Sequence, residues 1–367
     1  MQEPDLLAWA VQTFISRNWA MVAITSTIVT LILVPILILR KYVRIALNVM
    51  ESTQPPLARD PLDFERIAGE AVSFPSYDGM PLNGMIVRAP ADVPRRGMVV
   101  FAHEFCSDLF SCARYCRPLI EAGYDVFTFD FRGHGQSPAE PNYHPKQWIT
   151  DREMNDIRGA VAYVSRWLEE RKLDTTIGLF GISRGACAAL LVAAENERVR
   201  AVVADGAFST DTVIEHYMRR WAYIFAKVRV VYENHHPAFW RLLRWLMVRC
   251  AARRFGCRFP SVRKAIARMA PRPILFIHGE RDSYLPVEQS RRLYALAAQP
   301  KTLWVAPGAR HNQAAVVHPE KYARLTLSFL NSYFPLISDG ATAHPAAATG
   351  ELATRGGTAF EASIPSR

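Results

Sequence analysis

Between Leu179 and Leu190 the chain reads LFGISRGACAAL, which sets Ser183 between two glycines directly after an apolar run. A serine hydroxyl is a weak nucleophile until a base takes its proton, and a neutral histidine oriented by a carboxylate is the usual base. Both residue types follow in the chain, Asp282 in PILFIHGERDSYLP and His311 in TLWVAPGARHN. Gly181 and Gly185 suit a strand that turns abruptly into a helix, which lifts the hydroxyl clear of the backbone. The first N–H groups of a helix starting at Arg184 would then face any oxyanion formed beside Ser183. Each residue also has a plainer reading: a serine in a tight loop, an aspartate in a turn, a loop histidine. Asp205, at the end of the apolar run in ADGAF, is a second candidate for the carboxylate.

The elements that must position these residues alternate along the chain. Short apolar runs of the buried-strand kind are GMVVFAH (97–103), DVFTFD (125–130), TIGLFG (176–181), VRAVVADGA (199–207), PILFIHGE (273–280) and TLWVAPGA (302–309). Helical patterns fall between them near 112–122, at 151–170, from Arg184, near 287–298 and near 318–333. Such alternation predicts an α/β fold with a mostly parallel sheet covered by helices on both faces. Chemistry in such sheets collects at the carboxyl ends of the strands, where Ser183, Asp282 and His311 all fall. Residues 211–269 interrupt the alternation with a helical, aromatic and basic segment, whose only acids are Asp211, Glu215 and Glu233.

The start of the chain is of a different kind. WAMVAITSTIVTLILVPILIL, from Trp19 to Leu39, carries no charge. As a helix it would extend roughly 31 Å, the thickness of a bilayer's hydrocarbon. Pro35 near its end is tolerated in a membrane helix. No basic residue precedes Arg17 and no small-residue cleavage site follows, so a cleaved signal peptide fits less well than a retained anchor. Arg40, Lys41 and Arg44 follow the span against Arg17 alone before it, which places the remainder of the chain in the cytoplasm. The expected division is an N-terminal segment (1–18), a transmembrane helix (19–39), a stalk (40–69), a catalytic domain (70–335) and a disordered tail (336–367). The six cysteines show no spacing of a secreted disulfide framework. Cys112 and Cys116 would share a helix face, but no further Cys or His completes a ligand set, and no phosphate-cradling glycine loop occurs. No cofactor or metal is therefore expected. The net charge of +10 alone does not indicate a nucleic-acid partner, since no supporting motif accompanies it.

These motifs together resemble the α/β-hydrolase superfamily from about residue 70 to 335. DFRGHGQS (130–137), HGERD (278–282) and GARHN (308–312) are similar to its lipase, esterase and serine-aminopeptidase-like branch. The resemblance implies Ser183 as nucleophile, Asp282 as acid and His311 as base. It also implies an oxyanion hole from the backbone N–H groups of Arg184 and Phe105, and a lid at 211–269. One departure stands out: FAHEFCSD puts Glu104 where the family has glycine, and a carboxylate facing the hole would oppose a developing negative charge. His103 and the turn residues Arg132, Gly133, His134 and Gly135 read as loop architecture. The implied function is a membrane-anchored serine hydrolase cleaving a carboxylic ester or thioester, with a small-molecule acyl substrate that could be lipid-derived. A peptidase or acyltransferase would use the same three residues, and a tethered scaffold would use none of them. The mixture of aromatic and basic residues in the lid suits an anionic membrane surface, although the same arginines would also serve as a solvated face.

Overall fold

The computed structural model describes residues 6–52, 65–226 and 236–336. Its centre is an eight-stranded sheet in the order β1-β2-β4-β3-β5-β6-β7-β8. The strands are β1 (Glu70–Pro75), β2 (Pro81–Val87), β3 (Gly97–Ala102), β4 (Tyr124–Phe129), β5 (Ile177–Ile182), β6 (Val199–Asp205), β7 (Ile274–Gly279) and β8 (Lys301–Ala306). From β4 to β8 every neighbouring pair is parallel, whereas β2 pairs antiparallel with both β1 and β4. All six residues of β3, β4, β5 and β7 are buried, which is why these strands read as unbroken apolar runs.

Helices cover both faces. On one lie α4 (Asp151–Glu170) and α5 (Arg184–Ala193), with Ile157, Val161, Val164, Ala189 and Leu190 packed into a core shared with Val100 and Leu179 of the sheet. On the other lie α3 (Cys112–Glu121) and α11 (Pro319–Tyr333), where Tyr115, Leu119, Tyr322 and Leu330 pack with Phe101 and Phe180. Opposite faces thus take alternate residues of the same strand, as the two-residue period requires. Thr150 and Glu153 form a reciprocal capping box at the start of α4.

The antiparallel β1–β2 hairpin was not foreseen. The edge strand β1 is largely exposed and buries only Phe74 well, so it carries little apolar signal. The basic insertion is helical where described: α6 (Thr210–Ala226), α7 (Pro237–Phe255) and the short α8 (Val262–Ile266), with 227–235 outside the described residues. Of the expected disordered tail, all but the first residue lies outside them too. The short helices α9 (Glu288–Leu296) and α10 (Ala314–Val317) flank β8.

At the N-terminus, α1 (Leu6–Arg17) precedes α2 (Trp19–Ser52), a single helix that runs through Pro35 and past the expected end at Leu39. The first part of the expected stalk is therefore helical. From Trp19 to Asn48, α2 is long and apolar enough to cross a membrane, with mean hydropathy 2.6. Ile24, Leu31 and Leu37 there are more than half exposed. Its last turns behave otherwise: Val43, Ala46, Leu47 and Met50 form a stripe with helical spacing that packs into the core containing Trp240, Met247 and Ala251 of α7. Arg254 of α7 closes this contact by donating to Asn48 Oδ1 (2.8 Å) and Glu51 Oε2 (2.6 Å).

Candidate active site

Ser183 sits at the tip of a sharp turn between β5 and α5, with φ 52° and ψ −114°. A positive φ is uncommon for a residue with a Cβ and is held by its surroundings. Its N–H donates to Asp205 O at 2.7 Å, and its own carbonyl accepts from Cys187 N in the first turn of α5. Both flanking glycines are needed for close approach. A Cβ on Gly185 would run into the carbonyl oxygens of Ala102 and His103, and one on Gly181 into the backbone of Gly185 and Ala186.

The structure brings the three spaced residues together. Ser183 Oγ lies 2.9 Å from His311 Nε2, and His311 Nδ1 lies 2.6 Å from Asp282 Oδ2. With Nδ1–H donating to the carboxylate, Nε2 is left to accept the serine proton. The other carboxylate oxygen, Asp282 Oδ1, accepts from the backbone N–H groups of Tyr284 (3.0 Å) and Leu285 (2.7 Å). Burial disfavours the Asp282 charge, but the imidazole of His311 and the hydrogen bond and charge of His278 outweigh it. They hold the carboxyl well below the usual range. The loop carrying His311 reaches Asp282 because Gly279 ends β7; a Cβ there would strike the carbonyl oxygens of Ala309 and Arg310. Arg281 N donates to Ala309 O (2.8 Å) and ties the two loops together. Asp205 is not the partner of His311. Its carboxylate accepts from Tyr322 Oη at 3.0 Å, and burial pushes its pKa up to about 6.

Arg184 begins α5, so its N–H has no acceptor within the helix and lies beside Ser183. Its side chain, unnoticed in the sequence, is fully buried. The guanidinium lies 5.1 Å from the ring centres of both Phe105 and Phe131, donates to Lys146 O (2.9 Å) and stands 3.6 Å from Glu153 Oε1. It thereby braces from behind the segment that carries Phe105. His134 and His103 complete this bracing as neutral rings. His134 Nδ1–H donates to Arg132 O and its Nε2 receives the Arg184 guanidinium at 3.2 Å. His103 Nδ1–H donates to Glu104 O (2.6 Å), while its Nε2 accepts from Phe131 N (3.2 Å). Burial, followed by the charge of Arg184, pushes the His103 pKa down to about 3 and that of His134 well below the ordinary value. Arg132 belongs to the turn architecture as well, paired with Asp156, Asp78 and Glu140.

Ser183 and His311 open into a pocket lined also by Glu104, Phe105, Gln147, Tyr284 and Asn312. No described residue of 211–269 is in this lining. The insertion instead supports the wall from outside, through the Tyr217 hydroxyl donating to Tyr284 O at 2.6 Å. Tyr284 Oη donates in turn to Gln147 Oε1. Gln147 lies in no motif, and Tyr284 and Asn312, although inside the stretches quoted for Asp282 and His311, were not singled out in the sequence. Glu104 is almost completely buried. Its Oε1 accepts from Tyr115 Oη (3.3 Å), while its Oε2 is buried without a hydrogen-bond partner. Burial raises its pKa from 4.5 to about 7; its own backbone N–H, Arg114 and Tyr115 offset this in part, and Asp205 adds to it. Below about pH 7 this carboxyl is mostly neutral, which there removes much of the electrostatic objection raised by the sequence. Among the described residues, no group of three or more His, Cys, Asp or Glu is arranged to hold a metal ion.

Comparison with known proteins agrees with the topology. A family model described as alpha/beta hydrolase fold matches residues 99–235. The chain is 27% identical over 276 residues to the uncharacterized protein YqkD of Bacillus subtilis, covering 73% of this chain and 81% of that one. The solved structure of the Pyrococcus furiosus esterase Pf2001 superposes with a TM-score of 0.53 at 24% identity, over 77% of this chain and all of the esterase. That of the alpha/beta hydrolase GrgF from Penicillium sp. sh18 gives 0.51 at 22% identity, over 73% and 99%. With its eight-stranded, mostly parallel sheet and its serine at the β5–α5 turn, this chain has the α/β-hydrolase fold.

Proposed function

We propose that the protein is a membrane-anchored serine hydrolase that cleaves a carboxylic ester or thioester through an acyl-enzyme. The observation that carries this reading is the Ser183–His311–Asp282 hydrogen-bonded series opening into a pocket. In the first half-reaction His311 Nε2 takes the Ser183 proton as Oγ attacks the acyl carbon. The oxyanion is received by the N–H groups of Arg184 and Phe105, and the alcohol or thiol leaves with the proton from His311. Water then gives a proton to His311 and attacks the acyl-enzyme, releasing the acid and restoring Ser183. That the solved neighbour from Pyrococcus furiosus is an esterase supports the choice of ester.

The anchor reading rests on α2. Its stripe from Val43 to Met50 is built into the same core as α7 and continues the apolar helix without a break, so cleavage beyond the stripe would strip a face of the folded domain. This favours a retained helix over a removed signal sequence. Leu47, which packs in the core with α7, lies about 12 Å along the helix from Leu39, so α7 sits close to the membrane interface. The exposed face of α7 carries Leu242, Trp245, Arg241 and Arg249, apolar and basic residues suited to an anionic leaflet and so to a lipid-borne ester. The test is hydrolysis of esters of graded acyl length by the full chain. Each ester is offered both in free solution and in anionic vesicles. Loss of turnover in the Ser183→Ala variant supports the reading, and turnover that survives it refutes the serine mechanism. Leu242→Asp with Trp245→Asp should depress hydrolysis in vesicles alone; equal effects in both settings would remove the membrane-facing role of α7.

A further inference from the structure

The carboxylate that holds His311 is shared with a second histidine. His278, the penultimate residue of β7, is fully buried, and its Nε2 lies 3.3 Å from Asp282 Oδ2, the same oxygen that accepts from His311. Its hydrogen bonds bear on its protonation. Nε2 lies 2.7 Å from Leu285 O, and a carbonyl oxygen only accepts, so Nε2 carries a hydrogen. Nδ1 lies 2.7 Å from Ser290 Oγ, and the Ser290 hydroxyl donates its one hydrogen to Ala207 O at 3.0 Å. An arrangement with Nδ1 donating to Ser290 Oγ satisfies both contacts at once, and in it both ring nitrogens donate, as in an imidazolium.

We propose that His278 is a positioning residue, a buried imidazolium whose charge, delivered through the shared Asp282 carboxylate, weakens the hold of that carboxylate on a protonated His311. The acid limb of Ser183 acylation is then held at a lower pH than Asp282 alone would allow. This rests on the serine-hydrolase reading for its functional meaning, though not for its measurement. The charged and titratable groups around His278 are Asp282, Asp205 and His311, with Tyr217 and Tyr284 facing the same carboxylate. Burial works against the charge on His278, yet the hydrogen bond and charge of Asp282, the Leu285 carbonyl and the charge of Asp205 together raise its pKa above the ordinary imidazole value. Ser290 is also buried, at the start of α9, so the hydroxyl that receives the Nδ1 proton is shielded from water.

The test is nitrogen NMR of the full chain in detergent micelles with labelled histidine, together with the pH profile of Ser183 acylation. At neutral pH the resonances lost in the His278→Gln variant should show both nitrogens protonated; a neutral ring there overturns the proposal. In that variant the uncharged amide keeps a donor near Asp282 but removes the positive charge. The His311 titration should then move upward by on the order of one pH unit, and the acid limb of acylation should move with it. A His311 titration that stays in place overturns the coupling. Ser290→Ala, which removes the acceptor for Nδ1–H without touching Asp282, should move His311 in the same direction by less, and serves if His278→Gln does not fold. A wild type that never acylates defeats the hydrolase reading, while the two NMR titrations still decide the role of His278.

Discussion

Glu104 makes the pH dependence of stability calculable. Its carboxyl is completely buried, lacks a partner for Oε2 and has its pKa raised from 4.5 to about 7. An unfolded chain releases this proton first, so the native state holds more protons between those two values and stability falls as pH rises through them. A displacement of ~2.5 units at about 1.4 kcal/mol each gives a loss of about 3 kcal/mol, complete above about pH 7.5. Glu104→Gln keeps the shape and an acceptor for Tyr115 but cannot ionise. Relative to wild type the variant should gain about 3 kcal/mol between pH ~4.5 and ~8.5, which is roughly 6–10 °C in Tm for a domain of this size. The assay is thermal unfolding of the full chain in detergent across that range, following Tm of both proteins. A Tm difference that is the same at both ends would refute the buried, proton-holding carboxyl. The same ionisation would place a negative charge beside the oxyanion site, so the wild type should lose activity on the alkaline side relative to the variant.

Three further changes test the supports of the site. Gly185→Ala pushes a methyl group into the Ala102 and His103 carbonyls and should cost at least about 3 kcal/mol, seen as a fall in Tm together with loss of acylation. Arg184→Met keeps much of the stem but leaves Glu153 without its buried cation and Phe105 without its brace; a loss of about 3 kcal/mol in urea unfolding is expected. Removing residues 1–52 uncovers the face of α7 around Trp240, Met247 and Ala251, so the shortened chain should bind a hydrophobic dye and lose Tm, whereas a chain cut after residue 39 should not.

The parts of this molecule that were legible in the sequence are those whose causes are local. Strands buried on both faces must be apolar throughout, so β3, β4, β5 and β7 could be found, and the turn at Ser183 announces itself because only glycine fits at 181 and 185. The hairpin β1–β2 was not legible because the exposed edge strand needs no apolar pattern. Nor was the continuation of α2, since Arg40, Lys41 and Arg44 end the uncharged run without ending the helix, and the stripe from Val43 to Met50 has meaning only against α7. Partners distant in sequence hide most. Arg184 looks like an ordinary charged residue until Phe105, Phe131, Lys146 and Glu153 enclose it. Likewise His278 reads as part of a motif for Asp282, and only the Ser290 and Leu285 contacts bear on its protonation.

The central claim is that Ser183 is activated by His311, and labelling with a fluorophosphonate probe tests it most directly. The full-length protein should label in a single site, and both Ser183→Ala and His311→Ala should abolish the label while leaving Tm near that of the wild type. Labelling that persists in Ser183→Ala, or a folded wild type that does not label with or without anionic vesicles, would contradict it.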